Sequence, residues 1–184
     1  MNKKKFISLA KKSAEIQISE LKKIKKVLNN SFVKAVDLIL NCRGKIIFAG
    51  IGKSGLIARK ISATFSSVGI PSFFCDPAQA LHGDMGQIEK RDILIIFSYS
   101  GNTSELNNML RYANRYRIKI IGVASKSDSI LLKASDVKLL LPKVREADLT
   151  GMVPTTSTSI TLLLGDCLAT TVMQKRKFSK EKFK

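Results

Sequence analysis

The middle of the chain alternates short apolar runs with segments whose apolar residues recur every three or four positions. The runs at 46–49, 72–75, 93–97, 118–123 and 137–141 predict β-strands, and the segments at 56–68 and 104–116 predict helices. A further helix is predicted at about 156–174, where the chain is apolar nearly all round, as in a buried or interface helix. Strands that are apolar on both faces and alternate with helices are typical of a parallel sheet covered on both sides. We therefore predict an α/β fold, a three-layer sandwich in which helices flank a five-stranded parallel sheet.

Ahead of the first strand, residues 3–28 repeat apolar side chains at a spacing of three and four, which predicts an amphipathic helix. The stripe consists of Ile7, Ala10, Ala14, Leu21, Ile24 and Leu28, and Gln17 interrupts it. Ser31 is the predicted N-cap of a second helix that runs through Leu40. Because nothing precedes the first helix to cover its stripe, we predict a helical arm (1–43) that packs on the following domain (44–184) or on a partner subunit.

Composition excludes several classes of protein. No apolar run approaches the roughly 20 residues that a bilayer-spanning helix needs, and no secretory leader is evident, so we expect a cytoplasmic protein. The three cysteines, Cys42, Cys75 and Cys167, are odd in number and widely spaced. This spacing argues against a disulfide framework and against a zinc site, and it predicts buried free thiols.

The formal net charge of +18 permits two interpretations. A strongly basic chain suggests nucleic-acid binding. However, the lysines concentrate at the two chain ends, no aromatic platform interleaves with them, and tryptophan is absent. We therefore favour a solvated basic periphery that attracts anionic metabolites.

Two polar turns directly follow predicted strands, at the sheet edge where α/β proteins bind ligands. The first, 50–55, has the sequence Gly-Ile-Gly-Lys-Ser-Gly and formally matches a dinucleotide-binding pattern, with Asp76 near the position of a ribose partner. Spacing alone therefore leaves a nucleotide site open. Glycines at this place let the backbone approach an anion at a helix N-terminus.

The second turn, 98–104, carries four serine and threonine hydroxyl groups and one amide immediately before a helix. Several neutral donors around one point suit the oxygens of a phosphate monoester, and they exceed what helix capping alone requires. A third polar cluster at 154–159 opens the last helix. It either caps that helix or forms a further wall of a sugar pocket.

Together these segments resemble the sugar isomerase (SIS) domain and, within it, the arabinose 5-phosphate isomerase family. The resemblance runs from about Gly44 to Phe183. Its motifs are Gly52-Lys53-Ser54-Gly55, Leu81-His82-Gly83-Asp84, the turn 98–105, Glu146-Ala147-Asp148 and Pro154-Thr155-Thr156-Ser157-Thr158. The Ser-x-Ser-Gly element is general to the superfamily, whereas the His-Gly-Asp and Pro-Thr-Thr-Ser-Thr segments are specific to this isomerase.

The resemblance implies interconversion of arabinose 5-phosphate and ribulose 5-phosphate through an enediol, for Kdo and lipopolysaccharide synthesis. It also implies a homotetramer with sites shared between subunits and no cofactor. The implied catalytic residues fall on Lys53, Glu105 and Glu146, and His82 is the candidate for opening the sugar ring. The implied substrate-binding residues are Gly52, Ser54, Ser98, Ser100, Asn102, Thr103, Ser104, Thr155 and Thr156.

Aldose–ketose isomerisation needs a base and a group that stabilises the enediolate. Glu105 or Glu146 suits the base, and burial beside a substrate would raise its pKa. Lys53 suits the electrophile. The plainer alternatives are a helix-end charge for Glu105, a surface loop for Glu146 and a solvated lysine for Lys53. Since His82 is the only histidine, a multi-histidine metal site is impossible and we expect a metal-independent reaction.

The sequence departs from the family pattern in three ways. The sequence stops at Lys184, ahead of the CBS modules that relatives carry. It also stops ahead of a His-Pro-Gly-Gly segment whose histidine is catalytic in relatives. Finally, Asp76 stands where relatives have a histidine linked with metal binding. We therefore expect no regulation through CBS modules. The alternatives to an active arabinose 5-phosphate isomerase are a non-catalytic phosphosugar-binding module and a hexulose phosphate isomerase.

Overall fold

A computed structural model describes residues 3–148 and 150–177. Five strands form one parallel sheet in the order β2-β1-β3-β4-β5. Their bounds are β1 Ile46–Gly50, β2 Ser72–Phe74, β3 Ile93–Phe97, β4 Lys119–Ala124 and β5 Val137–Leu140. The predicted five-stranded parallel sheet is therefore confirmed, and each predicted strand differs from the observed one by at most one residue at either end.

Helices cover both faces of the sheet. Their bounds are α1 Lys3–Leu21, α2 Asn30–Leu40, α3 Lys53–Ser67, α4 Asn107–Arg115, α5 Ile130–Ala134 and α6 Thr156–Lys175. Short 3₁₀ turns occupy Lys22–Lys26, Ala80–His82, Asp84–Gln87 and Ser104–Leu106. The five-residue helix α5 was not predicted, because a helix of little more than one turn leaves almost no periodicity in the sequence.

Successive strand residues point to opposite faces and divide the apolar side chains between two cores. Phe48, Ile95 and Phe97 lie in the core under α2, α3 and α6, where the rings of Phe48 and Phe65 have centroids 5.0 Å apart. Leu94 and Ile96 lie in the opposite core, under α4 and α5. Full burial of each such side chain stabilises the fold by about 1.5–3 kcal/mol, so the sheet edge above them is held rigidly.

The N-terminal helix differs from its prediction. The α-helix ends at Leu21 and continues as a 3₁₀ turn. Within the predicted stripe Leu21 packs against the core and Ile24 is buried, whereas Leu28 is exposed and its neighbour Val27 is buried instead. Ile7 is 58% exposed, so the first turns of α1 present their apolar side chains outward. Packing of this surface on a partner subunit stays a prediction.

Helix boundaries show two further differences. Asn29 rather than Ser31 caps α2, because the Asn29 side chain accepts a hydrogen bond from the Ser31 backbone N–H at 2.8 Å. Helix α3 begins at Lys53, three residues earlier than predicted, so that only two residues separate it from β1. Lys53 therefore lies in the first turn of a helix and not in an open loop.

Only one of the three cysteine thiols is buried. Cys75 is buried, and burial raises its pKa to about 11; Cys42 and Cys167 are only half-buried, which corrects the prediction for those two. All three are free.

Among the residues that the structure describes, none of the helices combines the length and apolar character needed to cross a membrane.

Candidate active site

A cavity of about 360 Å³ opens at the carboxyl edge of the sheet, between β1 and β3. The chain passes outward from β1 to β2 on one side and from β3 through β4 to β5 on the other, so this is the topological switch point where α/β sheets bind ligands. The lining residues come from three places: after β1, after β3, and around the start of α6. They are Ile51, Lys53, Ser54, Ile57, Tyr99, Ser100, Glu146, Pro154, Ser157, Thr158 and Thr161.

Glycines shape the floor of the cavity after β1. A Cβ atom on Gly55 would lie 2.6 Å from the Gly50 carbonyl oxygen, so this position admits no side chain while β1 and α3 remain this close. Gly52 has a φ of +58°, which favours glycine, and it serves as the N-cap of α3. The two-residue connection brings Lys53 and Ser54, together with the helix N-terminus, to the cavity.

The turn after β3 uses part of its polar side chains to hold its own shape. Ser98 is buried, its hydroxyl lies 2.9 Å from the Thr103 hydroxyl, and it accepts a hydrogen bond from the Gly101 N–H. The Asn102 side chain accepts a hydrogen bond from the Ile130 N–H and so fixes the start of α5. Within this turn, Ser100 and Tyr99 line the cavity.

Glu146 lies opposite, on the segment after β5, and binds the start of α6. Its Oε2 accepts hydrogen bonds from the Thr155 N–H at 2.8 Å, the Thr155 hydroxyl at 2.9 Å and the Ser157 N–H at 3.2 Å. Partial burial raises the pKa of Glu146, but hydrogen bonds from Ser157 and Thr155 outweigh burial and leave the pKa below its usual value. In the chain itself the helix N-terminus stabilises the carboxylate, and an upward shift on burial beside a substrate stays a prediction.

The polar cluster at the start of α6 combines the two roles considered for it. Thr155 binds Glu146 and also accepts a hydrogen bond from the Ala147 N–H, and Thr156 is fully buried, its hydroxyl without a partner in the described part of the chain. The cavity wall is formed instead by Pro154, Ser157, Thr158 and Thr161. These positions share the spacing of one helical face, a signal present in the sequence that a residue-by-residue transfer from the family motif missed.

Two of the predicted catalytic residues lie outside this cavity. Glu105 is exposed, and a hydrogen bond from its own backbone and one from the Ser104 hydroxyl (2.8 Å) lower its pKa in the single chain. An upward shift on burial beside a substrate stays a prediction for this residue as well. His82 ends a 3₁₀ turn beyond β2 and is exposed. One chain therefore brings together Lys53, Ser54, Ser100 and Glu146, but neither of these two residues.

The nucleotide and metal interpretations find no support in the geometry. The Asp76 carboxylate accepts a hydrogen bond from the Ala78 N–H, a local turn contact. Within residues 3–148 and 150–177, no group of three or more histidine, cysteine, aspartate or glutamate side chains is arranged to hold a metal ion. Independence of metal remains a prediction.

The chain is similar to proteins of one known domain family. The family model described as SIS domain matches residues 39–171. The chain therefore belongs to the SIS domain family. It is 39% identical over 178 residues to the arabinose 5-phosphate isomerase GutQ of Salmonella typhi, a match that covers 97% of this chain and 56% of that protein. The chain thus spans about half the length of the curated relatives it matches.

Solved structures extend the comparison. The structure of c3406 from E. coli CFT073 in complex with arabinose 5-phosphate superposes with a TM-score of 0.92 at 33% identity, covering 100% of this chain and 97% of that one. MJ1247 from Methanococcus jannaschii, described in terms of a 3-hexulose-6-phosphate isomerase function, superposes with a TM-score of 0.76 at 22% identity, covering 92% and 94%. The second likeness shows the shared fold alone.

Proposed function

We propose that the chain is the catalytic domain of an arabinose 5-phosphate isomerase, interconverting this aldose phosphate with ribulose 5-phosphate. The observation that carries the proposal is the convergence of Lys53, Ser100 and Glu146 on one cavity of about 360 Å³ at the switch point. The 39% identity to the GutQ isomerase and the likeness to a structure solved with arabinose 5-phosphate support this substrate over a hexulose phosphate.

The phosphate binds where the turn 98–104 meets the start of α3. Ser100 and Ser54 donate hydrogen bonds there, Gly52 allows close approach, and Ser98, Asn102 and Thr103 hold the turn in shape. The N-terminus of the fifteen-residue helix α3 favours the negative charge. This arrangement leaves the sugar chain to extend toward α6.

Glu146 acts as the base. Its lowered pKa keeps it ionised at neutral pH, and all three of its hydrogen bonds end at Oε2, so Oε1 is the oxygen that takes the proton. The carboxylate removes a proton from C2, the carbon beside the aldehyde carbonyl, and Lys53 stabilises the enediolate oxygen on C1. The C2 hydroxyl proton passes to the C1 oxygen, and Glu146 returns its proton to C1, so that C2 becomes the ketone carbonyl.

His82 and Glu105 enter the site from a neighbouring subunit in this proposal. Both are exposed in the single chain, and the outward-facing apolar side chains of α1 provide a surface for assembly into a homotetramer. His82 then opens the sugar ring. As the family resemblance implies, the enzyme works in the cytoplasm and supplies lipopolysaccharide synthesis.

A direct assay tests the proposal. The purified chain is incubated with arabinose 5-phosphate, and ribulose 5-phosphate is measured with and without a chelator; unphosphorylated arabinose is the matched control. We expect turnover of the phosphorylated sugar alone, unaffected by the chelator. Thermal stabilisation by arabinose 5-phosphate without turnover would indicate a phosphosugar-binding module instead. Faster turnover of a hexulose phosphate would assign the other isomerase activity.

A further inference from the structure

The segment 142–147, which carries Glu146, has no regular secondary structure and is held by side chains from other elements. We call it the strap. Backbone polar groups that are removed from water require partners, and here neither a helix nor a sheet provides them. The Arg145 N–H donates to Glu20 Oε2 at 3.0 Å, and the Ala147 N–H donates to the Thr155 hydroxyl at 2.9 Å.

Tyr99 provides two further bonds to the strap. Its hydroxyl donates to the Pro142 carbonyl oxygen at 3.2 Å and accepts from the Val144 N–H at 2.9 Å. Because the same hydroxyl is used as donor and acceptor, its orientation is fixed. Tyr99 lies between Ser98 and Ser100 in the turn after β3, whereas the strap follows β5, so these bonds pass over the end of β4.

The backbone of Tyr99 is also fixed. Its carbonyl oxygen accepts hydrogen bonds from the N–H and the hydroxyl of Ser125, both at 2.8 Å, directly after β4. The side chain is half-buried against the core below and lines the cavity beside Ser100 and Glu146. A rigid residue therefore connects the turn that holds the phosphate to the segment that holds the base.

We propose that Tyr99 is a positioning residue: its hydroxyl fixes the strap, and with it Glu146, relative to the turn 98–104. This inference rests on the proposed function. Proton abstraction depends on a carboxylate placed within a few tenths of an ångström, whereas phosphate binding depends on the turn and on α3. Loss of the hydroxyl therefore affects the chemical step more than substrate binding.

The kinetic test compares Tyr99→Phe with Tyr112→Phe. The control loses a hydroxyl that donates to the Ile88 carbonyl oxygen at 3.5 Å, on the opposite face of the sheet. We expect Tyr99→Phe to lower kcat about tenfold with KM within about twofold of wild type, and Tyr112→Phe to change neither by more than about twofold. A kcat for Tyr99→Phe within about twofold of wild type, or a change confined to KM, overturns the proposal.

A second measurement does not depend on activity. Thermal unfolding is compared for Tyr99→Phe, Glu146→Gln and the double variant, with Tyr112→Phe plus Glu146→Gln as the matched control pair. If Tyr99 and Glu146 stabilise the same strap, the loss of Tm in the double variant is smaller than the sum of the single losses by about 2 °C or more, and the control pair is additive. Additive losses for Tyr99 and Glu146 overturn the proposal that Tyr99 fixes the strap. If the wild-type chain turns over no substrate, the proposed function fails. The double-variant comparison of Tm values then still decides whether Tyr99 and Glu146 stabilise the same segment.

Discussion

Two sides of the same sheet edge organise their polar side chains differently. On the cavity side, Glu146 is half-buried and receives three hydrogen bonds from the start of α6. On the outer side, Glu105 is exposed and bonded to its neighbour Ser104, and His82 is exposed at the end of a 3₁₀ turn. The difference shows that one chain preorganises Glu146 and the turn 98–104, whereas the outer residues lack surrounding contacts that would fix them.

The largest effect is expected from exchanging a carboxylate for an amide on each side. Glu146→Gln should lower kcat about a thousandfold because the base is lost, whereas Glu105→Gln should lower it about tenfold or less. Steady-state kinetics of both variants check this, with circular dichroism to confirm that they fold. A greater loss for Glu105→Gln would reverse the comparison and identify the exposed residue as the base.

Removal of the cation on the cavity side is expected to have the next largest effect. Lys53→Ala should lower kcat/KM about a hundredfold, because stabilisation of the enediolate is lost. Lys90→Ala, which removes an exposed lysine before β3 at the opposite end of the sheet, is the control and should match wild type. If the two variants behave alike, Lys53 is a solvated surface charge.

His82 tests whether the outer side acts on a neighbouring subunit. His82→Ala alone should lower kcat about tenfold. Mixing it with Glu146→Gln should restore up to about a quarter of wild-type activity, because half of randomly mixed pairs are hybrids with one intact site of two. Activity that stays at the level of the separate variants would indicate that both residues serve the same subunit's site.

The smallest expected effect concerns stability against pH. Because the folded-state pKa of Glu146 is lowered, its carboxylate stabilises the fold fully above the ordinary glutamate pKa of 4.5, and this contribution is lost as the pH falls through the folded-state value. The pKa is also lowered for three other carboxyl groups, those of Glu20, Asp136 and Asp148. The pH dependence of the wild-type chain therefore does not isolate the contribution of Glu146.

A comparison of wild type with Glu146→Gln isolates the contribution of the Glu146 carboxylate to stability. The difference in Tm between the two proteins should be larger at pH 7 than at pH 3, as measured by thermal unfolding across that range. A difference independent of pH would mean that the charge of Glu146 contributes nothing to folding.

The strands and most helices could be predicted from sequence because their signals are local. The run at 93–97 is short and apolar at every position, which is typical of a strand buried on both faces, and α6 continues for twenty residues as a helix that is apolar nearly all round. The short helix α5 and the cap at Asn29 escaped prediction, since each depends on a single turn of backbone.

Within the site, residue type was more predictable than residue role. A turn rich in hydroxyls after β3 indicated a phosphate site, but the sequence does not reveal that Ser98 is buried in the turn while Ser100 lines the cavity. The strap and its bonds to Tyr99 and Glu20 join positions far apart in the chain, and such partners are determined by packing alone. The lowered pKa of Glu146 has the same origin, because it depends on where the N-terminus of α6 lies.

The closely packed glycines determine where substrate preference can change. Gly50 and Gly55 leave no room for a side chain between β1 and α3, so variation beneath the ligand would disrupt the domain itself. The opposite wall consists of Pro154, directly before α6, and of Ser157, Thr158 and Thr161 on one face of that helix, which line the cavity. Divergence toward longer or shorter sugars, whether natural or in the laboratory, is therefore expected to proceed through that helical face.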